Sequence, residues 1–189
     1  PLVSVNDYKQ TEFTGSVGLP AAYTEIEIRD ESGNVLSETN AVGELCVRGP
    51  QVMSGYWKSE VSGLDENNWF MTGDIARIDE TGNIFIVDRK KDMIIVSGFN
   101  VFPNEVEAVV NEHPAVLECG CVGVEGENSQ ELVKVFIVLH DEQTATEDEI
   151  ISFCREKLTA YKVPKHIEFI KEIPKTNVGK VLRRELKEN

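Results

Sequence analysis

Residues 72–104 read TGDIARIDETGNIFIVDRKKDMIIVSGFNVFPN, and the fold follows from how this stretch divides. Asp79-Glu80-Thr81-Gly82-Asn83 is rich in residue types that tolerate positive φ, and alternating apolar residues follow it. That pattern predicts a hairpin, because a tight turn between two strands needs such residues at its centre. The run Asp88-Arg89-Lys90-Lys91-Asp92 then separates this strand pair from another β-rich run. Five consecutive charged side chains are rarely buried, so the run predicts an exposed joint between two packed units.

Working outward, Glu25-Ile26-Glu27-Ile28-Arg29 and Glu44-Leu45-Cys46-Val47-Arg48 alternate with the two-residue period of a strand. Ser32-Gly33-Asn34 supplies a turn between them and Gly49-Pro50 ends the second. Residues 13–57 are therefore expected to be β structure of barrel-like or sandwich-like form, and residues 58–68 a surface loop. In the other direction, Pro103 suits the first position of a helix with Val106, Val109 and Val110 on its apolar stripe. Glu105 and Glu107 lie near its positive end, and Pro114 is expected to stop it. Strands are predicted over 116–124, 132–139 and 166–170. Thr146 with Glu149 forms a capping-box pattern opening a second helix, with Ile150, Ile151, Cys154 and Leu158 on one face. The fold class is α+β: a β-rich barrel-like subdomain, then a small α+β unit.

The 189 residues, 41% hydrophobic, are enough for one domain or two small ones. A net charge of −14 argues against nucleic acid as a partner. The charge is uneven. Between Asp92 and Cys154 the only Lys or Arg is Lys134, against 13 acidic residues, whereas Arg155–Lys187 holds ten basic residues against four acidic. That basic tail is where an anionic ligand would be sought, a solvated surface being the plainer reading. Cys119 and Cys121 share one face of a predicted strand, and His113, His140 and His166 are isolated, so no zinc pattern is complete. The four cysteines are read as reduced core residues of a cytoplasmic protein. No apolar run approaches the ~20 residues of a membrane helix.

Three motifs carry a resemblance. Gly43-Glu44-Leu45-Cys46-Val47-Arg48-Gly49-Pro50 leads to Gly55-Tyr56-Trp57; the 72–104 stretch follows; Pro174-Lys175-Thr176-Asn177-Val178-Gly179-Lys180 comes last. In this order and spacing they resemble the signatures of the adenylate-forming enzymes: acyl-CoA synthetases, luciferases and peptide-synthetase adenylation domains. The wording is most like that of bacterial long-chain fatty-acid–CoA ligases. The resemblance implies the C-terminal portion of such an enzyme: residues 1–90 as the last β subdomain of the large AMP-binding domain, and 91–189 as the C-terminal lid domain. Lys91 falls at the hinge. The family's upstream Tyr-Gly-x-Thr-Glu motif and phosphate loop are not in this chain, so the isolated piece is expected not to form acyl-adenylate. The same absence puts most Mg²⁺ ligands outside it.

The implied reaction joins a fatty acid to ATP as an acyl-adenylate and then to coenzyme A (CoA) as a thioester. Lys180 matches the catalytic lysine, a compact cation suited to the developing phosphoryl charge. Asp74 matches the ribose ligand, since one carboxylate can accept from two neighbouring hydroxyls. Arg89 matches a second ribose or phosphate contact. Ser97, Gly98 and Phe99 would line the path of CoA. Asn100 stands where some relatives have Arg, so a salt bridge made by that Arg does not carry over. Lys162, Lys165, Arg183 and Arg184 could meet the CoA phosphates, an anionic membrane surface at the inner face of the membrane, or solvent. The rival readings are an aryl-, coumarate- or medium-chain acyl-CoA ligase, and a non-catalytic binding module on the same fold.

Overall fold

The computed structural model describes residues 1–9, 11–58, 63–126 and 130–188. Part of the expected 58–68 surface loop, residues 59–62, lies outside the described residues. The chain divides into two compact units, Pro1–Lys91 and Asp92–Asn189.

The first unit contains β1 (Ser4–Val5), β2 (Leu19–Pro20), β3 (Glu25–Arg29), β4 (Gly43–Arg48), β5 (Phe70–Ile78) and β6 (Ile84–Arg89). Strands β3-β4-β5-β6 form one antiparallel sheet in sequence order, and a bridge between Gly18 and Ile84 continues it toward the β1-β2 ribbon. Ile28, Leu45, Val47, Ala76 and Ile84 form its buried cluster. The β5–β6 turn is built by Asp79, whose Oδ1 accepts the N–H groups of Thr81 and Asn83 at 2.9 Å each. The 13–57 region is less regular than its alternation suggests. Only β2, β3 and β4 fall within it, because its Gly, Asn and Asp residues take turn conformations instead.

The second unit begins in a 3₁₀ turn spanning Lys90–Asp92 and contains β7 (Ile94–Val96), β8 (Phe99–Val101), α1 (Pro103–Val110), β9 (Val116–Glu125), β10 (Glu131–Leu139), α2 (Glu147–Arg155), β11 (His166–Phe169) and α3 (Arg183–Glu188). Strands β11-β10-β9 form a sheet in which β11 runs parallel to β10 and β9 antiparallel. Alternation along β9 and β10 feeds two cores. Val133, Val135, Ile137, Cys119 and Cys121 join Val106, Val110, Ile150 and Cys154 of the helices in one cluster. Val122, Phe136 and Val138 join Ile173 and Leu186 in the other.

Helix α1 starts at Pro103 but ends at Val110, with Asn111 as C-cap, short of Pro114. Proline disfavours helical dihedrals in the residue before it, so the chain leaves the helix one turn ahead of Pro114. Thr146 and Glu149 form both bonds of the capping box at the start of α2. All α-helices among the described residues lie in the second unit, so helical circular dichroism reports on it. Thr146→Ala is expected to lower its stability by about 1 kcal/mol. The measurement is the urea midpoint of the 222 nm signal, which should fall at unchanged slope; an unmoved midpoint would contradict the cap's role. Among the described residues, no helix is long and apolar enough to cross a membrane.

Candidate active site

In the first unit, Asp74 and Arg89 face each other across the β5–β6 ladder. Arg89 Nε lies 2.8 Å from Asp74 Oδ1 as an ion pair, with 24% of the Asp74 side chain and 54% of the Arg89 side chain exposed. The ladder shifts register between Ile75 and Ala76, and that between β4 and β5 shifts between Glu44 and Cys46. Such irregularities re-aim side chains and are enriched beside active sites. On β5 the β4–β5 shift spans Met71 to Ile75, which includes Asp74, and the β5–β6 shift follows directly.

The backbone under Asp74 is fastened by several bonds. Asp74 N–H donates to Thr72 Oγ1 at 3.1 Å, and the Thr72 hydroxyl donates to the Leu45 carbonyl at 2.8 Å. Gly73 N–H donates to Glu44 Oε1 at 3.1 Å, while Glu44 Oε2 accepts from Lys90 Nζ at 2.7 Å. Arg89 N–H donates to the buried Asp88 at 2.7 Å. Sequence reasoning singled out Asp74 and Arg89 but missed Glu44, Lys90 and Asp88 as their support. Strict alternation would turn Glu44 to solvent, yet it is buried with its neighbours in β4. A buried carboxylate needs partners, and Gly73 and Lys90 supply them.

In the second unit, Ser97 and Gly98 form the two-residue turn of the β7–β8 hairpin, with φ of +51° and +83°. Both central residues being left-handed is the type I′ pattern, whose twist matches the flanking strands. The sequence predicts a β-rich run here, with a strand turn as the plainer reading of Ser97 and Gly98, and the structure divides that run into β7 and β8. The signal was present, since Ser-Gly between apolar runs is a hairpin mark. Phe99 stacks on Tyr161 with ring centroids 4.7 Å apart and planes 20° apart. Its ring remains about half exposed.

Lys180 sits on a loop closed by the Lys175–Val181 bridge. Inside it, Thr176 N–H donates to the Lys180 carbonyl, Gly179 N–H to the Thr176 carbonyl, both at 2.8 Å, and Lys180 N–H to Thr176 Oγ1 at 3.1 Å. Gly179 has φ of +81°, a backbone conformation the tight loop requires and other L residues adopt at a cost. Lys180 is exposed, and among the described residues no carboxylate pairs with it. By contrast Lys175, five residues earlier, is paired with Glu118.

The basic residues of the tail differ in their pairing. Arg183 binds Glu107 with Nη2 2.9 Å from both carboxylate oxygens, and Lys162 Nζ lies 2.6 Å from Glu105. Both side chains are thus held against α1. Arg184 is exposed and bonded to Glu188 one turn on, and Lys165 is exposed.

The cysteines are buried and reduced. Burial pushes the Cys46 and Cys154 thiols up to about 11, and the Cys119 thiol higher still with Glu107 nearby. Those three are protonated at neutral pH and unsuited to nucleophilic work. Among the described residues, no group of three or more His, Cys, Asp or Glu is assembled to hold a metal ion.

A β-rich unit followed by a small α+β unit, with these motifs in this order, defines the class as that of the adenylate-forming enzymes. Residues 1–57 match the family model of the AMP-binding enzymes, and residues 105–180 match that of the AMP-binding enzyme C-terminal domain. The chain belongs to this family. It is 54% identical over 190 aligned positions to the long-chain-fatty-acid–CoA ligase of Escherichia coli O157:H7, covering 100% of this chain and 34% of that protein. ATP-bound MatB from Rhodopseudomonas palustris is similar in structure, with a TM-score of 0.91 at 30% identity over 98% of this chain and 38% of that one. The o-succinylbenzoate CoA synthetase of Bacillus subtilis, in complex with its acyl-adenylate intermediate, has a TM-score of 0.81 at 35% identity over 93% of this chain and 36% of that one. The chain thus spans about a third of the length of the curated relatives it matches.

Proposed function

We propose that this chain is the C-terminal part of an ATP-dependent long-chain fatty-acid–CoA ligase. In the first step a fatty-acid carboxylate oxygen attacks the α-phosphorus of ATP, the α–β phosphoanhydride bond breaks, and pyrophosphate leaves. In the second, the sulfur of CoA attacks the acyl carbon, AMP leaves, and the thiol proton passes to solvent. Asp74 accepts from the ribose 2′- and 3′-hydroxyls and Arg89 holds the same nucleotide. The observation that carries this assignment is their pairing, with Arg89 Nε 2.8 Å from Asp74 Oδ1 and both side chains partly exposed, 24% for Asp74 and 54% for Arg89. That leaves acceptor and donor capacity side by side for a diol and a phosphate.

Lys180 supplies the cation for adenylation, because charge develops on the phosphoryl oxygens as the carboxylate attacks. Its ammonium, exposed and unpaired among the described residues, supports that role. The second unit turns about Lys91 between steps, so that Lys180 serves the first and the Ser97-Gly98-Phe99 hairpin faces CoA in the second. A hinge residue needs only to absorb backbone rotation, which a Lys in a short turn can do. Mg²⁺ accompanies ATP, with ligands mainly from the rest of the protein. The enzyme works in the cytoplasm, at the inner membrane face where its acids partition.

The test is AMP release by the full-length protein against a panel of acids, with and without CoA. CoA-dependent turnover peaking at long chains is expected. A peak on aromatic acids would keep the chemistry and discard the fatty-acid substrate. No AMP from any acid would favour a binding module and overturn the proposal.

A further inference from the structure

The loop that carries Lys180 is only as well placed as the segment behind it. Helix α3, which begins three residues after Lys180, has six residues. A helix that short has too few internal hydrogen bonds to offset its nucleation cost, so tertiary contacts must hold it. Leu186 provides one, buried against Val122, Phe136 and Ile173. Arg183 provides the other. Its Nη2 meets both Glu107 oxygens at 2.9 Å and Asn104 Oδ1 at 2.6 Å, its Nε lies 3.3 Å from Glu107 Oε1, and its Nη1 is 3.6 Å from Asp92 Oδ2.

Glu107 is itself fixed. Its Oε1 accepts the N–H of Cys121 at 2.8 Å, on edge strand β9, so the carboxylate caps the sheet edge and receives the guanidinium together. Only about 15% of either side chain is exposed, which removes much of the screening that weakens surface pairs. One planar fork therefore joins the base of the Lys180 loop, helix α1, strand β9 and Asp92, the residue after the candidate hinge. The N-terminal side of the loop is fastened separately, by Leu182 N–H on the Pro174 carbonyl at 2.8 Å and by the Lys175–Glu118 pair.

We propose that Arg183 is a positioning residue for Lys180: its fork locks the loop base to α1 and to Asp92, so that movement at the hinge delivers the ammonium as part of a rigid body. The proposal rests on the reading of Lys180 as the adenylation lysine. A lysine stem is flexible and cannot set its own position, whereas a guanidinium held at several points can fix the backbone it hangs from. Since Lys180 acts in one half-reaction only, Arg183 should matter in that half-reaction only. A residue that merely stabilised the fold would affect both.

The experiment uses the full-length protein with Arg183→Met, Arg183→Lys and Lys180→Ala. Adenylation is read as fatty-acid-dependent ATP–pyrophosphate exchange. Transfer is read as CoA-dependent AMP release from preformed acyl-adenylate. Arg183→Met is expected to slow adenylation about 10–100-fold, the scale of a misplaced catalytic group, with transfer within about twofold. Arg183→Lys keeps the charge and loses the fork, so it should show the same split to a smaller degree. Adenylation within about twofold of wild type in both variants would overturn the proposal, as would parallel loss of both half-reactions in Arg183→Lys. If Arg183→Met fails to fold, Arg183→Lys decides. Lys180→Ala separates the two readings. Normal adenylation there would sink the role of Lys180 and the inference with it, whereas its loss there but not in the Arg183 variants would sink the inference alone.

Discussion

Replacing Lys180 by Ala or Gln in the full-length protein is expected to slow acyl-adenylate formation by ~10²–10³-fold, the cost of removing one preorganised charge or donor from a developing oxyanion. The amide of Gln is also a fair mimic of acetyl-lysine, which has the length but not the charge. Transfer of the acyl group from preformed adenylate to CoA should stay near wild type, because the proposed rotation about Lys91 withdraws the lysine before that step. Lys180→Arg should not restore the rate. A planar fork is larger and directional where the loop presents a compact charge, and neither carboxylate nor phosphate would sit at the same distance. The check is pyrophosphate exchange beside single-turnover thioester formation. Normal exchange in Lys180→Gln would remove Lys180 from the mechanism.

Asp74→Asn is expected to raise KM for ATP about 10–100-fold, the equivalent of the roughly 1.5–3 kcal/mol of a hydrogen bond to a charged group. Its effect on kcat should be smaller, since the ribose contact is made equally in ground and transition states. A nucleotide change gives the sharper reading. Wild type should discriminate against 2′-deoxy-ATP, and Asp74→Asn should lose much of that discrimination. Equal preference for ATP over the deoxy form in both would show that Asp74 contacts something other than the diol. Arg89, whose Nε lies 2.8 Å from Asp74 Oδ1, would keep its own charge and donors in Asp74→Asn, so binding should weaken rather than vanish.

Much of the architecture was legible because its signals are local. The period-2 runs at 25–29 and 44–48, the Asp79–Asn83 turn and the Thr146–Glu149 capping box depend on neighbours within a few residues, and all are present. The turn at Ser97-Gly98 is equally local, since a strand turn is the plainer reading of that dipeptide and both residues take positive φ. Helix α3 was not legible. Arg183-Arg184-Glu185-Leu186-Lys187 carries no cap and almost no apolar stripe, and its one buried residue, Leu186, is paired with residues 50 and 64 positions away in Phe136 and Val122.

The sequence by itself determined most of the strands and the two longer helices. Only the tertiary structure decided which charges are spent within the fold. Asp74 meets Arg89 through a cross-strand register, Glu44 is buried beneath Gly73 and Lys90, Arg183 and Lys162 are bound to α1, and Lys180 alone of the last motif's lysines is left unpaired among the described residues. A charge's chemistry is written in its residue type. Whether it is available depends on the partner within about 4 Å, and that partner comes from wherever in the chain the packing of apolar side chains brings it.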